Sequence, residues 1–511
     1  MDRIIRGGES LELTTILLQP VAARERRWLQ VISNSLLRYY AQCYGAVLGL
    51  MTFNVFWHLS DTFVRDHDEG RYAVAASEML HAHSTLITTY AGATEFWNLK
   101  PPLGYWLLDL SYWGLGETPF ALRVPAAICA LLTVALTMSM TRRIAGERAS
   151  ILAGVILSTA FGFLGHHAAR SGDLDVPLTL LLFMFLTLAP SLSDVRAARL
   201  AAGLVLALAF LLKSFAILPF VLAVALYGLI TRGAGTWRVW PLPSAILVLV
   251  AATWAVARSV AEDSWEFVRR MFVEDLLLRS TTEIDPGSNG GWDYLGGLFD
   301  RFAPWPIVVL AAVALSWNFV RQRSSADSAT LLWCFVLIPL AFFTLARTHH
   351  FWYIVPVYPA CAMLAAMATL EVLERARTRN LTAPAVAILG IFACACEARV
   401  ATHIAVYDRM TKSQVFLASL RSRFPDTRME LQTAFTPSYS ERFLLQVVDG
   451  LQLRGFNWTG LKSDHALASD APVLVRKGDD GWSDIVAHAA NIRFLDQNED
   501  YALVRIETEG N

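Results

Sequence analysis

The chain has 511 residues, of which 55% are hydrophobic and 17% charged, and its net charge at pH 7 is −1. This composition excludes a single soluble domain of ordinary make-up, because it is far too apolar. The sequence contains no dense basic tract, so nucleic acid is not expected as a partner.

The cysteines predict neither a disulfide framework nor a zinc site. All six lie within or at the edge of apolar stretches, at Cys43, Cys129, Cys334, Cys361, Cys394 and Cys396. The two that are near each other, Cys394 and Cys396, are too close together and lack partner ligands for zinc. We therefore expect no metal and no cofactor.

The apolar stretches predict eleven membrane spans, since a span needs about 20 mostly apolar residues. In chain order, the spans are expected near 44–60, 120–141, 149–166, 174–190, 199–213, 215–231, 241–259, 304–320, 329–346, 352–372 and 383–400. Only Lys213 and Ser214 separate the fifth span from the sixth. Residues 1–43 contain no cleavable signal pattern and are expected to form a cytoplasmic extension.

Arginine is concentrated in alternate loops, which predicts the direction of the spans. With the N-terminus inside, each inner loop contains arginines, namely Arg142, Arg143 and Arg148; Arg196 and Arg199; Arg232 and Arg238; Arg321 and Arg323; and Arg375, Arg377 and Arg379. The segments 61–119, 260–303 and 401–511 then lie outside. Any active site in these segments would then face the outside.

Two of the outer loops, 61–119 and 260–303, are too long for simple connections. Both are rich in Trp, Tyr and Phe, so we expect them to be ordered and functional rather than disordered. Residues 103–116 have the Trp and Tyr content of a helix that lies at the membrane interface.

The tail differs in composition from the apolar part of the chain. It contains a helical stretch near 413–424 and strand-like runs at 472–476 and 501–507. We therefore divide the chain into the extension 1–43, a transmembrane domain 44–400 and a small outer α/β domain 401–511.

Charged residues at the outer ends of the spans are candidates for a functional site. Asp68 and Arg71 are one helical turn apart, either as a carboxylate base beside a phosphate-binding cation or as a helix cap with a first-turn ion pair. Lys100 precedes two prolines that restrict the backbone. It is either a second cation of the site or a residue that extends its side chain to the interface.

Further charges are expected on the same side of the membrane. Asp173 and Asp175 precede the fourth span, where carboxylates are costly unless they are paired, solvated or facing a cavity. They alternatively cap that helix above Pro177. Lys213 lies at the outer end of the fifth span. These acids and bases therefore converge on one membrane face.

An aromatic run follows the ninth span. Arg347 and Tyr353 would either hold an anionic headgroup or form part of an interfacial aromatic belt. His349 and His350 are adjacent and point in different directions, so they do not favour a metal site.

Six stretches of the sequence together resemble a known family. They are DEGRYAVAASEML (68–80), KPPLGYWLLDLSYW (100–113), ARSGDLDVPLTLLL (169–182), LALAFLLKSFAILP (206–219), FAPWP (302–306) and the 344–359 run that ends in YIVPVYP. In this order they resemble the dolichyl-phosphate-mannose protein mannosyltransferase superfamily, and within it the bacterial aminoarabinose transferases. The resemblance implies the GT-C fold, which is mainly α with about 11–13 transmembrane helices and an outer-facing cavity. It also implies a location in the bacterial inner membrane, with the active site facing the periplasm or the outside.

The resemblance also implies roles for individual residues. Asp68 is the expected catalytic carboxylate, with Asp175 as a supporting one. The residues expected to bind the donor phosphate are Arg71, Lys100, Tyr353, Arg347, Lys213 and Arg279. The chain departs from the family pattern at Leu99, where an acid often precedes the Lys, and at Asp275, where a His is common.

The sequence therefore predicts an inverting glycosyltransferase that moves a sugar from a polyprenyl phosphate to an acceptor outside the membrane, such as lipid A or another envelope glycolipid. Asp68 would deprotonate or orient the acceptor oxygen, which attacks the anomeric carbon, and Arg71 and Lys100 would stabilise the phosphate charge. One alternative is a related transferase that glycosylates protein. The other is a lipid or solute transporter, since transporters also have charged residues inside the membrane. The lack of internal repeats and paired broken helices favours the enzyme.

Overall fold

The computed structural model describes residues 21–165, 167–278, 281–282, 294, 296, 305, 323–378, 382–423, 430–456, 471–488 and 491–507. Arg279 and nearly all of the predicted span 304–320 lie outside these residues. Their assignments stay predictions.

The described chain is mainly helical, as the sequence predicted. Its α-helices are Val21–Phe56, Asp68–His81, Leu103–Leu115, Pro119–Ser158, Phe161–Leu164, Asp175–Leu188, Arg196–Lys213, Leu218–Arg232, Pro241–Glu262, Glu266–Arg270, Arg323–Leu345, Tyr358–Thr378, Thr382–Thr402, Lys412–Leu417, Leu420–Arg423, Tyr439–Arg442 and Asp480–His488. Shorter 3-10 segments are Ala189–Ser191, Ser214–Ile217, Gly233–Val239 and Phe351–Val357. The π-helical segments are Met271–Leu278, His403–Tyr407 and Phe443–Val448.

Within the described residues, six helical stretches are long and apolar enough to cross a membrane, judged by length and composition. They are Pro119–Ser158, Arg196–Val239, Pro241–Glu262, Asp327–Leu345, Phe351–Glu374 and Ala383–Tyr407. The first contains the predicted span 120–141 and residues 149–158 of the predicted span 149–166, and the second contains 199–213 and 215–231. The predicted span 174–190 is the shorter apolar helical stretch Asp175–Ser191.

Gly146 divides the stretch Pro119–Ser158 into the two predicted spans. Its φ of 84° interrupts the helix, and this region of φ is readily accessible only to glycine. Ser150 Oγ donates to the carbonyl of Met138 at 2.7 Å. In a continuous helix these residues would be about 18 Å apart. The chain therefore reverses direction at Gly146, which confirms the predicted break between the second and third spans.

The predicted break between the fifth and sixth spans is also confirmed. The helix Arg196–Lys213 ends at Lys213, and the next helix begins at Leu218. Ser214 between them has a φ of 44°. Lys213 is consequently the last residue of a helix, where its buried side chain reaches Asp175.

The helix predicted at residues 103–116 is present as Leu103–Leu115. Trp106, Leu110 and Trp113 are exposed on it, with Trp113 79% accessible. An apolar and aromatic face of this kind is suited to a membrane interface.

The tail forms the small α/β domain that the sequence predicted. Its sheet has the strand order β4-β3-β5-β7-β6. The strands are β3 (Glu430–Thr433), β4 (Gln452–Gly455), β5 (Val473–Arg476), β6 (Asn491–Gln497) and β7 (Tyr501–Glu507). β3 pairs in parallel with β4 and β5, whereas β7 pairs antiparallel with β5 and β6. A separate hairpin, β1 (Thr89–Tyr90) and β2 (Ala93–Thr94), belongs to the first outer loop.

Two buried arginines hold the beginning of the first outer loop in place. Arg123 is fully buried, pairs with Glu69 at 2.8 Å and donates to three carbonyls of the segment 54–63. Arg170 donates to carbonyls of the same segment and to Asp408 in the tail. Because this segment leads directly into the helix that begins at Asp68, these contacts fix the position of that helix.

Candidate active site

A cavity of about 1210 Å³ lies between the helix ends, the first outer loop and the tail. Five predicted site residues line it: Asp68, Lys100, Asp175, Lys213 and Tyr353. They come from segments far apart in the sequence. The predicted convergence of acids and bases on one side of the helices is therefore confirmed.

Asp175 and Lys213 form a buried ion pair in this cavity. Lys213 Nζ lies 2.5 Å from Asp175 Oδ1, and both side chains are less than 10% exposed. Asp175 is the first residue of one helix and Lys213 the last residue of the next, and these helices pack together. A buried pair of this kind is strongly destabilised if either partner is removed.

Lys100 is paired with Asp275, the residue that departs from the family pattern. Lys100 Nζ lies 2.8 Å from each carboxylate oxygen of Asp275, and Ser214 Oγ donates to Asp275 Oδ2 at 2.7 Å. Asp275 belongs to the π-helical segment Met271–Leu278, which follows the predicted seventh span. An anion that binds Lys100 would therefore compete with this carboxylate.

Asp68 faces the cavity at the start of the helix Asp68–His81 and lies beside His167, which the sequence analysis did not select. His167 Nδ1 lies 3.2 Å from Asp173 and 3.9 Å from Asp68, and its ring stacks on Trp352 at 3.8 Å. Burial lowers the pKa of His167, but the carboxylate of Asp173 and then that of Asp68 outweigh it, so the pKa is raised. The only sequence signal for His167 was its position just before the ARSGDLD stretch.

Asp68, His167 and Asp173 are also the described residues that could hold a metal ion. One ligand atom from each lies within 4.8 Å of the others. Two carboxylates and an imidazole suit several divalent cations. A protonated His167 would alternatively balance the charge of the two carboxylates. The adjacent His349 and His350 do not belong to this group.

The position of Arg71 does not support the expected contact with a donor phosphate. Arg71 is not among the described residues that line the cavity. Its guanidinium donates to both carboxylate oxygens of buried Glu95 at 2.8 and 2.7 Å, and to Tyr439 Oη at 2.6 Å. The rings of Tyr90, Trp97 and Tyr439 lie within 5.0 Å of it. Glu95 neutralises this charge, and the contacts of Arg71 order the outer loop. A role for Arg71 at the donor phosphate stays a prediction.

Glu69 is buried among structural contacts, whereas its sequence neighbour Asp68 lines the cavity. It is 2% exposed, pairs with Arg123 and accepts from the backbone N–H of Arg65 and of Gly172. Three bonds from three parts of the chain would be affected by its loss. Of these two adjacent carboxylates, only Asp68 is presented to the cavity.

The remaining predicted residues differ in their placement. Tyr353 lines the cavity together with His350, whose ring lies 5.3 Å from that of Tyr353. Arg347 is exposed and is not among the described lining residues, so its expected phosphate contact is not supported. Arg279 lies outside the described residues.

The tail contributes a residue that sequence reasoning missed. Tyr439 begins the short helix Tyr439–Arg442 and lines the cavity. The backbone N–H of Ser440 donates to Asp66 at 2.7 Å. Gly70 approaches so closely that a Cβ there would lie 2.7 Å from the carbonyl carbon of Tyr439. The tail domain is therefore part of the site, which no local sequence pattern indicated.

Comparison with known proteins agrees with this architecture. The sequence model of the dolichyl-phosphate-mannose-protein mannosyltransferase family matches residues 99–260. The chain is 30% identical over 331 residues to the undecaprenyl phosphate-alpha-4-amino-4-deoxy-L-arabinose arabinosyl transferase of Pseudomonas savastanoi pv. phaseolicola, covering 61% of this chain and 58% of that protein. It is 30% identical over 359 residues to the transferase of the same name from Pseudomonas paraeruginosa, covering 67% and 62%. The match thus spans less than two thirds of the length of these relatives.

Solved structures share the fold. ArnT from Cupriavidus metallidurans bound to undecaprenyl phosphate has a TM-score of 0.70 at 18% identity, covering 92% of this chain and 98% of that one. The apo oligosaccharyltransferase of Archaeoglobus fulgidus has a TM-score of 0.52 at 12% identity, covering 83% and 65%. The resemblance that the sequence motifs predicted is confirmed in both sequence and fold.

Proposed function

We propose that this chain, which shares sequence and fold with the dolichyl-phosphate-mannose protein mannosyltransferase superfamily and its bacterial aminoarabinose transferases, is an integral-membrane glycosyltransferase. The observation that carries the proposal is the cavity that Asp68, Lys100 and Lys213 line together. It combines a carboxylate that can accept a proton with two cations that can stabilise a leaving phosphate.

The reaction follows from these groups. Asp68 accepts the proton of the acceptor hydroxyl, whose oxygen attacks the anomeric carbon of the donor sugar. The bond between that carbon and the phosphate oxygen breaks as the new bond forms, which inverts the anomeric centre. Polyprenyl phosphate leaves with the electron pair, and Lys100 stabilises its charge after exchanging Asp275 for the phosphate. Lys213 acts as a second cation at the cavity wall by the same exchange, with Asp175 as the carboxylate that it releases.

The similar proteins support a particular donor. Two relatives are named as arabinosyl transferases of undecaprenyl phosphate-alpha-4-amino-4-deoxy-L-arabinose, and the similar ArnT structure contains undecaprenyl phosphate. We infer that the donor here is a sugar on undecaprenyl phosphate and that the acceptor is an envelope glycolipid such as lipid A. The arginine bias of the inner loops supports a cavity that opens on the periplasmic side of the bacterial inner membrane.

The test is transfer by the purified protein in proteoliposomes. Undecaprenyl phosphate carrying radiolabelled 4-amino-4-deoxy-L-arabinose is supplied with lipid A, and labelled lipid A is the expected product. Label on a protein acceptor would favour the protein-glycosylating alternative. Movement of intact donor across the bilayer without turnover would favour a transporter and contradict the proposal.

The orientation has its own test. A tag fused after Asn511 should be accessible from the periplasmic side in spheroplasts, and a tag before Met1 should be protected. The reverse result would place the cavity on the cytoplasmic side.

A further inference from the structure

Two aromatic rings from different parts of the chain meet at the cavity. Trp97 belongs to the first outer loop and Tyr439 to the tail domain, and both line the cavity beside Asp68. Their ring centroids are 6.2 Å apart and the ring planes differ by 31°. Trp97 is 44% exposed, so part of its ring is accessible from the cavity.

Arg71 holds these two rings in position. Its guanidinium carbon lies 4.4 Å from the ring centroid of Trp97 and 4.9 Å from that of Tyr439. The pair with Glu95 fixes the guanidinium, and Glu95 also accepts from the backbone N–H of Trp97 at 2.7 Å. The rings are therefore oriented before any ligand binds.

The tail side is fixed just as firmly. Ser438 and Glu441 form a capping box around the helix that Tyr439 begins. Glu441 also receives two contacts of 2.6 Å from Arg476 of β5, so the helix is joined to the sheet. The rings of Trp97 and Tyr439 are held in place from both sides, yet they are not packed in a core. They are therefore available to bind a ligand.

The groups around the rings indicate the chemistry of that ligand. Aromatic faces carry partial negative charge and attract the partly positive C–H groups of a sugar ring. The carboxylates of Asp66 and Asp68 line the same cavity and can accept hydrogen bonds from sugar hydroxyls. Asp66 lies next to the platform, since it accepts from the backbone N–H of Ser440. An apolar surface with acceptors at its edge fits a pyranose ring better than it fits a lipid chain or a phosphate.

We propose that Trp97 and Tyr439 form a platform on which a sugar ring stacks, with Arg71 as the residue that positions both rings. The platform rests on the proposed glycosyltransferase function. The ring that stacks there belongs either to the donor or to the glycolipid acceptor. In both cases the tail domain contributes directly to substrate binding.

The test uses the full-length protein with Trp97→Leu and Tyr439→Leu, which keep an apolar side chain but remove the aromatic face. Each should raise the KM of one sugar-bearing substrate about three- to tenfold, the usual scale of an aromatic contact. Tyr439→Phe should recover most of the affinity that Tyr439→Leu loses. Trp265→Leu is the matched control, since Trp265 is exposed on the second long outer loop and is not among the described lining residues.

Two binding measurements identify the source of the sugar. If the donor sugar stacks, the leucine variants weaken binding of the sugar-loaded donor but not of undecaprenyl phosphate alone. If the acceptor sugar stacks, only the KM for lipid A rises.

Wild-type KM values in both leucine variants would overturn the platform. An equal loss of affinity for undecaprenyl phosphate alone would also overturn it. Lack of turnover by the wild-type protein would instead overturn the proposed function. In that case a leucine variant that binds the sugar-loaded donor as tightly as wild type would still overturn a platform for the donor sugar.

Discussion

Lys100 Nζ lies 2.8 Å from both carboxylate oxygens of Asp275, so the cation expected to receive the donor phosphate is already neutralised. The two side chains are 11% and 9% exposed, so water screens their attraction only weakly. If Lys100 binds the donor phosphate as proposed, binding would therefore exchange one anion for another. The affinity of the site depends on both residues.

Replacing Lys100 by alanine should weaken donor binding. The variant loses a contact to a charged group of about 1.5–3 kcal/mol, and it leaves Asp275 facing the incoming phosphate. Affinity for undecaprenyl phosphate should fall on the order of ten- to a hundredfold, measured by equilibrium binding in detergent. Lys412→Ala serves as the control, because that side chain is 89% exposed on the tail domain. If the Lys100→Ala protein and the wild type bind undecaprenyl phosphate with equal affinity, Lys100 is not part of the phosphate site.

Asp275→Asn should have the opposite effect on the same measurement. Asparagine keeps an oxygen that can accept from Ser214, but it carries no charge to compete with the phosphate for Lys100. Donor affinity should rise by on the order of tenfold, the scale of one hydrogen bond to a charged group. A loss of affinity would show that Asp275 supports donor binding instead of competing with it.

The carboxylate of Asp68 should be required for transfer and not for binding. Asp68→Asn keeps the size of the side chain and removes the proton acceptor, so the rate of transfer should fall by roughly two to four orders of magnitude. Donor affinity, measured separately, should change little. The control is Asp263→Asn, at an exposed residue with φ 51°, a left-handed conformation that asparagine tolerates. Near-wild-type turnover by Asp68→Asn would show that another acid is the general base, and Asp175 would be the next candidate.

Glu69→Gln should reduce stability. The side chain pairs with buried Arg123 and accepts two backbone N–H bonds, so its neutralisation leaves a buried guanidinium without a counter-charge. We expect a loss of free energy of unfolding on the order of 3 kcal/mol, seen as a lower thermal midpoint. For this reason Glu69 is unsuitable as a catalytic control for Asp68. An unchanged midpoint would contradict the structural role.

The stability of the protein should depend on pH through Asp109, on the interfacial helix Leu103–Leu115. Burial, and then Glu117, raise the pKa of Asp109 from 3.8 to about 7. A raised pKa means that the folded state binds the proton more tightly than the unfolded state. The contribution of Asp109 to the free energy of unfolding therefore falls as the pH rises from about 4 to about 7. Asp109→Asn should raise the thermal midpoint more at pH 8 than at pH 5. An equal increase in the thermal midpoint at both pH values would show that Asp109 does not cause the pH dependence.

Much of the helical framework could be predicted from the sequence, because its signals are local. Runs of apolar residues define helices, and Gly146 and the Lys213–Ser214 pair interrupt them where the spans divide. The motif that begins at Asp68 was recognisable for the same reason, since its residues are adjacent in the chain. Strand-like alternation likewise indicated β5 and β7 of the tail domain.

The partner of each charge was decided by the tertiary structure. Arg71 and Asp68 are one turn apart in sequence, yet one faces Glu95 and Tyr439 and the other faces the cavity. Tyr439 is 368 residues from Arg71, and Arg123 is 54 residues from Glu69. A buried ion must find its counter-charge in space, whatever the separation along the chain. Local periodicity gives the face of a helix, but only the packing of distant segments determines what that face meets.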